Sequence, residues 1–231
     1  MQVQVDLSGN PIMNPIDPRR FPLRYLLCVV FDYLIKSEQA LEAPVLLEER
    51  LGHLDATLIA RMDEEQLERA ISKPKALHRF PKVMARWIKE DCQLLVEKYG
   101  GKAENIWSDK PSARELERRL REFTGISQKK GSMAVNTLIR DYGIEISDKS
   151  GIDVSYDIHV RRVFLRTGLV KRDREKDMVL VARKLNPSYP GALDLGAWKI
   201  GRQFCHLRNP ECRLCSLNAV CPKMKVKVPE K

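Results

Sequence analysis

An all-α fold is predicted by three features of this sequence. Apolar residues recur at spacings of three and four along most of the chain. Helix start and stop signals fall at the ends of those stretches, and no segment sustains the apolar–polar alternation of a strand. With 231 residues and 43% hydrophobic content, the chain can bury a sizeable core, in one large domain or two small ones.

The elements follow in order. After the breakers Pro15, Pro18 and Pro22, an apolar helix is expected over Phe21 to Lys36, and a second from Ser37 or Glu38 to Gly52. Asp63 with Gln66 reads as a capping box for a helix to Ile71. A long helix from Arg79 to Tyr99 carries Pro81 in its first turn and stops at Gly100 and Gly101. Ser112 with Glu115 is a second capping box, opening a helix to Phe123. The turn Thr124-Gly125-Ile126-Ser127 leads into a helix from Gln128 to Tyr142. The polar stretch Gly143 to Tyr156 reads as a loop, followed by helices over Ile158–Thr167, Arg172–Leu185 and Leu193–Phe204. A cysteine-rich loop and a basic tail end the chain.

Charge narrows the partners. Lysine and arginine number 41 against 31 acidic residues, a net +10, and the whole excess lies beyond residue 156, where 17 basic residues face 7 acidic ones. Such asymmetry suits a polyanion, nucleic acid first, although a solvated basic face would show the same count. The longest apolar run, Leu26 to Ile35, is broken by Asp32, and the N-terminal MQVQVDLSG lacks the basic start of a secretory signal. The expectation is therefore an intracellular protein, cytoplasmic or, in a prokaryote, nucleoid-associated, with no membrane partner.

Six cysteines in a reducing compartment are read as thiols or metal ligands rather than disulfides. Cys28 and Cys92 sit on apolar helical faces and read as core. Cys205, Cys212, Cys215 and Cys221 are different: they form C-x6-C-x2-C-x5-C, four thiols within 17 residues. A [4Fe-4S] cluster takes one cysteine per iron and suits ligands wound round one centre. Of the two alternatives, unligated thiols and structural zinc, zinc more often takes two close pairs separated by a longer segment.

The stretch Trp198-Lys-Ile-Gly-Arg-Gln-Phe-Cys205, with Arg208-Asn-Pro-Glu-Cys212-Arg-Leu-Cys215 and Cys221, resembles the iron–sulfur loop of the endonuclease III family of DNA glycosylases. Phe123-Thr-Gly-Ile-Ser-Gln-Lys-Lys-Gly131 is similar to that family's helix-hairpin-helix, with Thr124 where proline is usual and Ser127 where a second glycine is usual. Tyr156-Asp157-Ile158-His159-Val160-Arg161-Arg162-Val163 resembles the family's aspartate segment, reached here through a longer linker.

The resemblance implies a two-domain helix-hairpin-helix glycosylase fold: a helical barrel over 24–139 and an iron–sulfur domain built from 1–23 and 140–231, with the active cleft between them. It implies base excision from damaged or mismatched duplex DNA by a monomer, with associated lyase activity. Lys129 takes the position of the Schiff-base nucleophile, with Lys130 as understudy, and Asp157 that of the catalytic carboxylate. Gly125, Ser127 and Lys130 would meet the DNA backbone at the hairpin, and Arg208 and Arg213, with His206, at the cysteine loop. Tyr33 falls where the family places the wedge that fills the gap left by the flipped base.

The chemistry accounts for the residue types. Breaking an N-glycosidic bond builds positive charge on the deoxyribose, which a nearby carboxylate stabilises. A lysine amine can then attack C1′. Without the resemblance, Lys129 would read as a solvated first-turn lysine, Asp157 as a helix cap and Tyr33 as core. Two further readings stand beside the lyase: a monofunctional glycosylase in which Asp157 activates water, and a non-catalytic lesion-binding protein.

Overall fold

The structure, a computed structural model, describes residues 14–224; the N-terminal MQVQVDLSG and most of the basic tail lie outside them. Among the described residues there is no strand. The helices are α1 (Pro22–Phe31), α2 (Ser37–Leu51), α3 (Ala56–Arg61), α4 (Glu64–Ser72), α5 (Pro81–Tyr99), α6 (Ala113–Leu120), α7 (Gln128–Arg140), α8 (Ile158–Arg166), α9 (Glu175–Leu185) and α10 (Ala192–Gln203). Short 3-10 turns lie at Ala103–Ile106 and Cys212–Leu214. None of these helices is long and apolar enough to cross a membrane.

Two compact units share this chain. One takes residues up to Pro111 with Arg118–Ile126 and Thr137–Glu145; the other takes Ser112–Glu117, Ser127–Asn136 and the residues from Ile146 onward. The sequence-based division was drawn in long segments, whereas the units interleave within α6 and α7. Residues 14–23 group with the first unit. Asn14 ties them in by donating to the Tyr142 hydroxyl at 2.8 Å.

The first unit is built on α1 and α5. Leu26, Leu27, Val30 and Phe31 of α1 and Met84, Ile88 and Leu95 of α5 are fully buried, with Leu47, Ile59, Leu67 and Ile71 from α2, α3 and α4. Each such side chain contributes roughly 1.5–3 kcal/mol by leaving water. Pro81 opens α5 and Gly100, at φ +62°, closes it, as expected. Ser112 Oγ accepts from the Glu115 N–H at 3.3 Å, as its capping box predicts. The other capping box does not form: Asp63 occupies the N-cap of α4, but its side chain makes no capping bond.

Two elements differ from the sequence reading. The first helix stops at Phe31 instead of Lys36: Asp32 leaves the helical region at ψ +64°, and beyond it the fully buried His78 holds the Tyr33 carbonyl. His78 Nδ1 accepts from the Phe80 N–H at 3.0 Å, so the proton sits on Nε2, which donates to that carbonyl at 2.7 Å. Leu34 follows at φ +56°. The six-residue α3 is too short to show a period in sequence, and its signal is Asp55, whose carboxylate accepts from the N–H groups of Thr57 and Leu58 at 2.7 and 3.0 Å.

The second unit packs Val154, Val160, Val163 and Phe164 against Met178 and Ala182 of α9 and Ala197 of α10. Helix α9 begins at Glu175, three residues later than expected. Arg172 and Arg174 precede it, and both pair with Asp177, at 3.1 and 3.2 Å.

Candidate functional site

The turn before α7 departs from the usual hairpin in two residues, and the structure accounts for both. Thr124 has the N–H that proline lacks, and donates it at 2.6 Å to Asp91, a carboxylate buried on α5. Its hydroxyl donates to Glu90 at 3.2 Å. Gly125 adopts φ +79°, and a Cβ there would stand 2.6 Å from the Trp87 ring, so both conformation and packing demand glycine. Ser127 is not among the non-glycine residues with positive φ. A side chain at that position therefore brings no backbone strain, and its carbonyl accepts the Gly131 N–H at 2.8 Å as α7 begins.

One residue into that helix the candidate pair assembles within the second unit. Lys129 Nζ lies 2.8 Å from Asp157 Oδ2. Asp157 is the N-cap of α8, where its other oxygen accepts the His159 N–H at 2.8 Å. The carboxylate is buried, with 7% of its side chain exposed, whereas the Lys129 side chain is 46% exposed. Burial alone would push the Asp157 carboxyl up, but the Lys129 ammonium and the His159 N–H outweigh it and hold the group below the usual carboxylate range. Burial also pushes His159 down, leaving a neutral ring whose Nδ1 lies 3.0 Å from Arg162 Nη2.

Lys130, by contrast, is buried at 6% exposure. Of the two adjacent amines, it is Lys129 that meets both the carboxylate and solvent. The phosphate contact expected of Lys130 does not fit its burial.

The long segment ahead of Asp157 is tied down by polar side chains that the sequence reading passed over. Arg183 of α9 makes a two-pronged pair with Asp153, both contacts at 2.8 Å. Asp194 of α10 accepts from the N–H and hydroxyl of Ser155 at 2.7 and 2.6 Å. The only signal available in sequence was an excess of polar residues in a loop.

From the capped end of α8, the next turns reach the cysteine loop. Arg162 donates to the Cys205 carbonyl and, at 2.6 Å, to that of Gly201. Arg166 donates to the carbonyls of His206 and, at 2.8 Å, Leu207, with Nη1 3.5 Å from Cys205 Sγ. Helix α10 comes close enough for this because Gly201 has no Cβ; one built there would stand 2.6 Å from the His159 carbonyl oxygen. Cys205, Cys212, Cys215 and Cys221 are free thiols that line one cavity of about 200 Å3 with Arg166, Phe204 and Met224. No group of three or more His, Cys, Asp or Glu side chains among the described residues is gathered tightly enough to hold a metal ion. Arg208 and Arg213 are exposed on the loop, and His206 faces Glu211 at 3.6 Å. Cys92 is buried in the core as expected, whereas Cys28 is only half-buried.

Tyr33 lies in the first unit, 37% exposed, in an aromatic group with His78, Phe80 and Trp87. Its ring is parallel to that of His78 and 5.2 Å from that of Trp87, so it is neither wholly core nor freely projecting.

No protein-family model matches the chain. It is 27% identical over 134 residues to an endonuclease III from Buchnera aphidicola subsp. Baizongia pistaciae, a match that takes in 56% of this chain and 52% of the relative. The chain thus spans about half the length of the curated relative it matches. Among solved structures, an endonuclease III trapped as a covalent intermediate with DNA superposes with a TM-score of 0.62 at 20% identity, over 86% of this chain and 82% of that one. A thermostable thymine-DNA glycosylase reaches 0.65 at 14% identity, over 94% and 90%. An 8-oxoguanine glycosylase/lyase from Clostridium acetobutylicum, in complex with duplex DNA, reaches 0.54 at 12% identity, over 79% and 60%. The chain has the all-α fold of the helix-hairpin-helix DNA glycosylases.

Proposed function

We propose that this chain is a base-excision DNA glycosylase with associated lyase activity, acting on damaged or mismatched bases in duplex DNA. The observation that carries the reading is the 2.8 Å contact between Lys129 Nζ and Asp157 Oδ2, which joins an amine and a carboxylate 28 positions apart in sequence. The sequence similarity to endonuclease III and the shared fold support it.

In this reading the buried, ionised Asp157 stabilises the positive charge that develops on the sugar as the C1′–N bond breaks. The bond's electron pair leaves with the base. Lys129, after giving up a proton, forms the new N–C1′ bond; the C1′–O4′ bond then breaks, its electron pair and a proton going to O4′, and the resulting Schiff base permits elimination of the 3′ phosphate with loss of a C2′ proton. A carboxylate within hydrogen-bond reach of the amine is placed to take the lysine proton. The test is a panel of lesion-bearing duplexes in which free base and strand scission are followed separately, with borohydride added to capture the covalent adduct. Base release with trapping supports the reading. Base release without trapping would favour water activated by Asp157, and tight binding without release would leave a lesion-binding protein.

Cys205, Cys212, Cys215 and Cys221 would hold a [4Fe-4S] cluster. All four residues line one cavity of about 200 Å3, which fits a group that takes one thiolate from each of them. When bound, the cluster supplies electron exchange and a rigid centre for the loop. Arg162 and Arg166 hold the loop backbone around that centre. Purified protein is expected to be brown and to contain about four irons per chain; stoichiometric zinc without iron would overturn the assignment.

Gly125 and Ser127 would present backbone N–H groups to a phosphate at the start of α7, Tyr33 would act in the gap left by the flipped base, and Arg208 and Arg213 would contact phosphates. Replacing both arginines by alanine is expected to flatten log affinity against log salt by up to about 0.9 per lost contact. An unchanged slope would remove the loop from the DNA interface.

A further inference from the structure

We infer that Gln128 is the positioning residue that sets the separation of Lys129 and Asp157, an inference that rests on the function proposed above. Gln128 sits at the start of α7, immediately before Lys129, and is buried. Its Oε1 accepts the N–H of Tyr156, the residue immediately before Asp157, at 3.3 Å. Its Nε2 donates to the Val154 carbonyl at 3.3 Å and to Ser132 Oγ, one turn along the helix, at 3.1 Å. A single amide therefore bonds both polar groups of a backbone stretch, much as a neighbouring strand would.

Asn136, another turn on, continues the arrangement by donating to the Asp153 carbonyl at 3.2 Å and the Ser132 carbonyl at 3.0 Å. Gln128, Ser132 and Asn136 recur every four residues, so one stripe of α7 faces the segment from Asp153 to Tyr156. The stripe solves a problem that the long linker creates. Lys129 and Asp157 have no short connection to hold them, and the bond from Gln128 to Tyr156 fixes the neighbour of one to the neighbour of the other. Its amide is suited to the task because it offers donor and acceptor together; a carboxylate or an apolar chain of the same length offers at most one.

Asp157 is faced by Lys129 from α7 and by His159, Arg161 and Arg162 of α8. Of these, Lys129 alone comes from across the clamp, so loosening the clamp weakens that contact and leaves the α8 groups in place.

The experiment compares wild type with Gln128→Met, which keeps the length and removes the hydrogen bonds, and with Ser132→Ala, which removes one prop from the amide. Single-turnover base release gives the rate constant and the half-saturating enzyme concentration separately. Carbon-13 titration of labelled aspartates gives the Asp157 midpoint without relying on activity. Gln128→Met is expected to lower the rate constant about 10- to 100-fold, with half-saturation unchanged, since displacements near 1 Å cost that much. It should also raise the Asp157 midpoint, and Ser132→Ala should do so by less. A lower melting temperature with rate constant and midpoint both unmoved would reduce Gln128 to a structural role. Should Gln128→Met fail to fold, an unmoved midpoint in Ser132→Ala would overturn the inference in the same way. If wild type releases no base from any duplex, the proposed function fails, while the titration still decides whether Gln128 sets the pair.

Discussion

Lys129→Gln is expected to abolish borohydride trapping on every duplex that wild type cleaves, while binding to those duplexes persists. Glutamine keeps most of the side-chain length but has no nucleophilic amine, so the N–C1′ bond cannot form. Lys130→Gln, made in parallel, should trap as wild type does once its folding is confirmed, because Lys130 is buried and it is Lys129 that contacts Asp157. Trapping that survives Lys129→Gln and is lost in Lys130→Gln would exchange the two roles. Trapping that survives both would place the nucleophile elsewhere.

Asp157→Asn is the second large effect. Base release is expected to slow about 100-fold or more, with binding retained, because one preorganised charged group facing a developing cation commonly contributes that much. The helix cap is a weaker issue: asparagine caps helices about as well as aspartate, and its carbonyl oxygen can still accept the His159 N–H. The variant thus removes the charge and keeps the local structure. A rate within a few fold of wild type would remove Asp157 from the chemistry.

The same carboxylate sets the acid side of the pH dependence. Its pKa in the folded chain lies below the ordinary value, and base release needs the ionised form, so activity should persist as pH falls through the usual carboxylate range and fail only lower. The stability contribution follows the same sign. It is fully present above the unfolded-state value and is lost as pH falls through the depressed folded value.

Much of the helical arrangement was legible in sequence. Long helices with marked ends stood out, as in α5 between Pro81 and Gly100. Short or tertiary-determined elements did not. Helix α3 has six residues, less than two turns, and the chain just beyond α1 is held at Tyr33 by a histidine 45 residues away. The candidate site divides along the same line. The family resemblance singled out Lys129 and Asp157, yet no spacing rule could show that a linker of this length would bring them to 2.8 Å. Nor could it reveal Gln128, whose partners are backbone groups that carry no residue-type signal.

Local sequence was enough to determine the helical class, most helix ends and the close spacing of the four thiols. Each of these depends on propensity, capping or spacing among near neighbours along the chain. Packing settled the rest: which of two adjacent lysines is buried, whether Ser127 is strained, why Thr124 can stand in place of proline, and how Arg162 and Arg166 link the capped carboxylate's helix to the cysteine loop. Those outcomes rest on partners between 33 and 43 residues apart, or on burial by the surrounding fold, and are fixed only when distant backbone and side-chain groups meet away from water.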